Sequence, residues 1–239
     1  MMSRIRERRK RRALKRKMQI PSQACADDFA KQLAKRMKMH VKRKTPTYLE
    51  IGAGMPAKYS NTKELEIAGW QGLSIDKAKT VQNSWDREAS KYGRSNDRLI
   101  MWDWLDIHRC KRLNEIKDKH FTYVSLDIDP PNTLCFKGLE KLFEIGVTFD
   151  FLTYEHNLYM ERHKEGKRDN AICKENGYKL LTQMNYRRIA DNVGVWGDPT
   201  APFEDWYVSP RIDLPEFNHH DWYKTIRPEQ DAGVKPRAP

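Results

Sequence analysis

No apolar run in the 239 residues approaches the roughly 18 that a membrane-spanning helix needs. The start is charged almost continuously from Arg4 to Lys17, which leaves no room for a secretory apolar region. The expectation is a protein with no transmembrane segment that is not secreted and resides in the cytoplasm or another reducing intracellular compartment. Nuclear or organellar targeting by the basic run stays open. Cysteine is scarce: Cys25, Cys110, Cys135 and Cys173 lie far apart with no CxxC pair. That spacing disfavours a zinc site and fits free thiols in a reducing environment. The sequence shows no internal repeat.

What is abundant is charge, and it is unevenly spread. Charged residues make up 33% and apolar ones 38%, with a formal net charge of +12. Residues 1–44 carry 17 Lys and Arg against three acids, Glu7, Asp27 and Asp28, so residues 45–239 are nearly neutral, at 28 basic against 30 acidic. The chain thus divides into a basic arm (1–22), a folded domain (23–210) and a C-terminal tail (211–239), a tail or surface strap. Like charges at this density repel, so the arm alone is expected to be disordered. Residues 4–17 suit counterion release on nucleic acid or another polyanion, and suit equally a targeting signal or a tether to an assembly.

Phe29, Leu33, Met37 and Val41 recur at spacing four and predict an amphipathic helix over 23–42. From Thr47 short apolar runs alternate with helical patterns. Strands are expected at 48–51, 72–75, 99–102, 121–126 and 149–154, then at 178–181 and 205–208. Helices are expected at 61–68, 81–92, 109–116 and 134–143, and from about 159 to 176 with Gly177 just past the last turn. Strands alternating with helices indicate an α/β fold with a sheet covered on both faces.

Ligands of such sheets bind beyond the carboxyl ends of the strands, so the residues there carry the chemistry. The first strand runs into Glu50-Ile51-Gly52-Ala53-Gly54, whose glycines permit a tight turn and close approach of the backbone. The third glycine of a dinucleotide loop is replaced by Ala57, which argues against a nucleotide-dependent oxidoreductase. Asp76 ends the second strand, where an acid can accept from ribose hydroxyls. Asp103, between Trp102 and Trp104, follows the third, where an acid and aromatics can meet an adenine.

This succession resembles class I S-adenosylmethionine-dependent methyltransferases over roughly 48–210. The resemblance implies a Rossmann-like, mostly parallel sheet with a late antiparallel strand. It implies S-adenosylmethionine as cofactor, with Glu50, Gly52, Ala53, Gly54, Asp76, Asp103 and Trp104 as its binding residues. Tyr123 to Pro131, Leu152-Thr153-Tyr154-Glu155-His156 and Pro202 to Trp206 are similar to the FkbM-like methyltransferases, which act on diverse hydroxyls. Where that family has Asp-x-Glu-Gly, this chain has Asp127-Ile128-Asp129-Pro130.

Asp127, Asp129, Glu155 and His156 are therefore the candidate catalytic residues. Three readings stand side by side. Asp127, Asp129 and Glu155 hold Mg²⁺, as hard oxygen ligands from adjacent loops can, in a layout similar to catechol O-methyltransferases. Alternatively His156 or Asp129 acts as a metal-free general base. In the third, Glu155 and His156 only brace their loop. Asp129-Pro130-Pro131-Asn132 is also similar to the DPPY loop of adenine amino-methyltransferases, although Asn132 offers no ring to stack on a flipped base. The favoured function is O-methylation of an unidentified acceptor. The alternatives are a catalytically silent methyltransferase-like module that binds nucleic acid or an assembly through the arm, and a nucleic-acid base methyltransferase.

Overall fold

Period-two apolar runs that end in glycine or acidic turns form the strands, and their ladder places the functional end of the molecule. The computed structural model describes residues 24–38, 45–58, 60–129, 133–163 and 169–226. The basic arm (1–22, with its 4–17 run), residues 130–132, which follow Asp129, and residues 227–239 lie outside the described residues. Strands β1 (Thr47–Ile51), β2 (Gln71–Asp76), β3 (Leu99–Met101), β4 (His120–Leu126), β5 (Thr148–Glu155), β6 (Arg187–Gly194) and β7 (Pro202–Val208) form one sheet in the order β3-β2-β1-β4-β5-β7-β6. The pairs among β1 to β5 are parallel, and β7 runs antiparallel to both β5 and β6. The chain builds outward from β1 to β3 and then returns to β4, so the switch point lies between β1 and β4.

The described helices are α1 (Ala26–Lys38), α2 (Lys63–Ile67), α3 (Lys79–Glu88), α4 (Leu134–Glu144), α5 (Asp169–Gln183) and α6 (His219–Ile226). None is long and apolar enough to cross a membrane. Strand alternation sends Leu49, Ile51, Val124, Leu126 and Leu152 to one face, where they pack with Leu139 and Leu142 of α4 and Cys173 and Leu181 of α5. Tyr48, Tyr123, Phe151 and Trp206 point to the other face, against Phe29 and Leu33 of α1 and against Ile212, Phe217 and Trp222. Full burial of each large apolar side chain contributes ~1.5–3 kcal/mol. Residues 212–226 join this second core, and His219 Nε2 meets the carbonyl of Ala24 at 3.0 Å, joining the C-terminal stretch to the start of α1. The four cysteines are buried and form no disulfide.

Three local expectations are corrected. Gly177 is not past a helix end and 178–181 is not a strand, because both lie inside α5. Cys173, Gly177 and Leu181 form its buried stripe, and a Cβ at Gly177 would come within 2.5 Å of the Tyr154 ring, so the glycine makes room for a tyrosine. Strand β6 had no clear alternation to announce it, since irregularities at Arg188, Ala190 and Val193 break its register against β7. The helix expected over 109–116 is instead a pair of 3-10 turns, Trp104–Arg109 and Leu113–Glu115.

Candidate active site

The carboxyl ends of β1, β2, β4 and β5 open on a cavity of about 620 Å³, within the range of small-molecule sites. Gly52, Ala53, Gly54, Asp76, Asp103 and Trp104 line it, and so do Asp127, Asp129 and Glu155. Nine of the eleven site residues expected from the sequence thus share one cavity. Glu50 and His156 do not line it.

The glycine loop is shaped by backbone contacts. The amides of Gly52 and Ala53 donate to the carbonyl of Ile75 at 2.9 and 3.0 Å, and the Asp127 amide donates to Ile51 at 2.9 Å. Gly52 sits at φ +83°, where a Cβ would lie 1.5 Å from the Asp127 carbonyl oxygen. Only glycine permits that approach, which draws the β1 loop against the acidic loop after β4.

Asp76 is pre-oriented: Oδ2 accepts from the Gly54 amide at 3.0 Å and Oδ1 from the Ala78 amide at 2.8 Å. Asp103 caps the following turn, with Oδ1 accepting from the Leu105 amide at 3.0 Å and Oδ2 from Lys77 Nζ at 3.0 Å. Trp104, a lining residue, is anchored by its indole N–H on the Gly138 carbonyl at 2.8 Å. Apolar Ile75, Ala78, Val81 and Trp102 complete this half.

The other half is acidic. One oxygen from each of Asp127, Asp129 and Glu155 falls within 4.8 Å of the others. Glu155 is buried and burial pushes its carboxyl up to about 8, against the opposing pull of the Asn157 amide that donates to Oε1. Its Oε2 is buried with no hydrogen-bond partner among the described residues. Burial in the cavity wall, helped by the charge of Asp76, also raises Asp129. Across the β5–β7 ladder Glu204 pairs with Glu155, and burial pushes its carboxyl too up to about 8 while Trp206 Nε1 donates to it at 2.6 Å.

Glu50 lies beneath the loop. Its carboxylate accepts from Ser60 Oγ at 3.0 Å, Thr62 Oγ1 at 2.6 Å and Ser74 Oγ at 2.8 Å, and pairs with Arg94 at 3.4 Å. His156 is fully buried, with Nε2 3.2 Å from Asp205 and Nδ1 accepting from the Leu158 amide at 3.2 Å. Both of its nitrogens are in use away from the cavity.

Sequence reading missed Lys58, Lys77, Met55, Tyr159 and Met160 in the cavity wall, together with Glu204, Trp85 and Arg94 behind it. Lys77 directly follows Asp76 at the end of β2, a position the strand-end pattern marks. Arg94, between Gly93 and Ser95, reads as an exposed loop residue, and nothing local marks it as buried.

No protein-family model and no curated protein matches the chain. Among solved structures it is similar to a putative caffeoyl-CoA O-methyltransferase from Staphylococcus aureus, with 16% identity, a TM-score of 0.53, and coverage of 85% of this chain and 91% of that one. It is also similar to the bifunctional kinase-methyltransferase WbdD, with 12% identity and a TM-score of 0.51, over 80% of this chain and 40% of that one. These likenesses establish the fold: a Rossmann-like α/β sheet of the class I methyltransferase type.

Proposed function

We propose that this protein is an S-adenosylmethionine-dependent methyltransferase, of the FkbM-like kind, that methylates an oxygen acceptor. The observation that carries this reading is the meeting of the glycine loop, Asp76 and Asp103 with Asp127, Asp129 and Glu155 in one cavity at the switch point. S-adenosylmethionine supplies an electrophilic methyl group on a sulfonium centre. Gly52, Ala53 and Gly54 would lie against its methionine part. Asp76, held by two amides yet retaining lone pairs, would accept from the ribose hydroxyls. Asp103 and Trp104 would flank the adenine, and Glu50 would support the loop from below.

The acceptor would enter the acidic half. Asp127, Asp129 and Glu155 are hard oxygen donors, and the orphaned Oε2 of Glu155 is the kind of atom a cation satisfies, so the residues fit Mg²⁺. Such an ion would acidify an acceptor hydroxyl. Asp129, at the open side of the cluster, is the residue placed to take the acceptor proton, with or without a metal. His156 would act only by bracing the loop. Most of the rate gain would come from alignment of the reacting atoms. The basic run at 4–17 supports nucleic acid or another polyanion as a partner.

Calorimetric titration with S-adenosylmethionine of the wild type and of Asp76→Ala tests the reading. Binding by the wild type that is weakened in the variant is expected. Absence of binding by the wild type would overturn it.

A further inference from the structure

Gly54 is held from both sides by side chains remote in sequence. Its N–H donates to Asp76 Oδ2 at 3.0 Å, and its carbonyl accepts from Trp85 Nε1 at 3.0 Å. The residue sits at φ +55° with nothing within 4 Å of where a Cβ would be. Packing therefore does not hold this turn on its cavity side, and glycine's freedom would let the peptide pivot. The two hydrogen bonds supply the restraint.

Trp85 cannot pivot with it. The indole is fully buried in α3, and the Arg94 guanidinium stacks over it 4.3 Å from the ring centroid. Arg94 is itself fixed: Nε donates to Glu66 at 2.9 Å, Nη1 to Ser60 at 2.9 Å, and Nη2 to Thr62 and Ser74 at 2.9 Å, with Glu50 at 3.4 Å. A buried guanidinium is tolerable only with its donors matched in this way, and a planar group bonded through all three of its nitrogens makes a rigid clamp for a ring. A position needing only volume would be served by phenylalanine, whereas here a directed N–H meets the loop carbonyl.

We infer that Trp85 is a positioning residue for the cofactor loop. Clamped by Arg94, its N–H fixes the Gly54 peptide, and the Gly54 N–H in turn holds the Asp76 carboxylate in the cavity. The inference rests on the reading of this cavity as the S-adenosylmethionine site.

The test replaces Trp85 by phenylalanine, and in parallel by β-(3-benzothienyl)alanine, which keeps the bicyclic shape and lacks the N–H. Amide exchange of residues 53–58 is read without cofactor, and the Kd for S-adenosylmethionine by calorimetry. Loss of one hydrogen bond is expected to speed exchange and weaken binding by about threefold to tenfold in both variants. Trp70→Phe, in the separate core cluster around Tyr48 and Leu65, is expected to lower the thermal midpoint while changing neither readout. Wild-type exchange at 53–58 in the benzothienyl variant would overturn the inference, as would an affinity loss that Trp70→Phe reproduces. Failure of the wild type to bind S-adenosylmethionine overturns the methyltransferase reading instead, and exchange in the cofactor-free protein still decides the role of Trp85.

Discussion

His156 Nε2 and Asp205 Oδ1 meet 3.2 Å apart, and neither side chain reaches solvent. Burial lowers the imidazole and outweighs the pull of Asp205. Burial alone would raise Asp205, but the His156 hydrogen bond and the nearby Lys174 charge hold it low. The pair is thus a neutral imidazole donating to a carboxylate, which braces the end of β5. His156→Ala is expected to lower the unfolding free energy by ~1–3 kcal/mol, the cost of leaving buried polar groups unpaired. The pH profile of kcat/KM for methyl transfer should keep its shape. Loss of an ionisation from that profile would restore His156 as a base.

The two loop glycines should respond differently to the same substitution. Gly52→Ala sets a methyl 1.5 Å from the Asp127 oxygen at φ +83°, so the β1 and β4 loops must part. A loss above ~3 kcal/mol is expected. Gly54→Ala meets open space, and only the left-handed backbone opposes it, at ~1–2 kcal/mol. Urea unfolding of both variants measures the difference; equal losses would contradict the account of the close approach.

Glu155 decides between the metal and the metal-free readings. If the three carboxylates hold Mg²⁺, millimolar Mg²⁺ should raise the thermal midpoint of the wild type and leave Glu155→Gln unmoved. Without metal the same substitution should cost little, because burial already favours the neutral carboxyl. If the carboxylates do hold Mg²⁺, a chelator should also slow methyl transfer by the wild type. If Mg²⁺ changes neither quantity while Asp129→Asn lowers the rate about a hundredfold, Asp129 acts alone as base.

His219 gives the fold a dependence on acid. Burial depresses the ring to about 4, although the Ala24 carbonyl pulls the other way. In the unfolded chain the ring titrates near ~6.5. Below that value the unfolded chain binds a proton that the folded ring refuses, so the contribution of His219 to stability falls as pH drops from there toward the folded value. The slope has a ceiling of ~1.4 kcal/mol per pH unit. Glu155 and Glu204, whose raised carboxyls favour the fold in acid, act in the opposite direction, so the test is a difference. In denaturant unfolding at pH 7, 6 and 5, His219→Gln should gain stability relative to the wild type as pH drops, and an unchanged difference would assign no such role to His219.

The sequence by itself determined strands β1 to β5 and β7, and it marked Gly52, Gly54, Asp76, Asp103, Asp127, Asp129 and Glu155 as the residues at strand ends. Period-two patterning and turn chemistry are local, and in a parallel sheet the ends of neighbouring strands must share one edge. What each side chain does there was decided by the tertiary structure. Glu50 reads as part of the loop motif, yet its carboxylate turns under the sheet to meet Arg94, a partner 44 residues away. His156 reads as a base until Asp205, 49 residues on, takes up its Nε2. Gly177 reads as a helix end until the Tyr154 ring is seen to need its space. In each case a buried contact distant in the chain sets the role of the group, because burial leaves a polar atom only the partners that the fold brings to it.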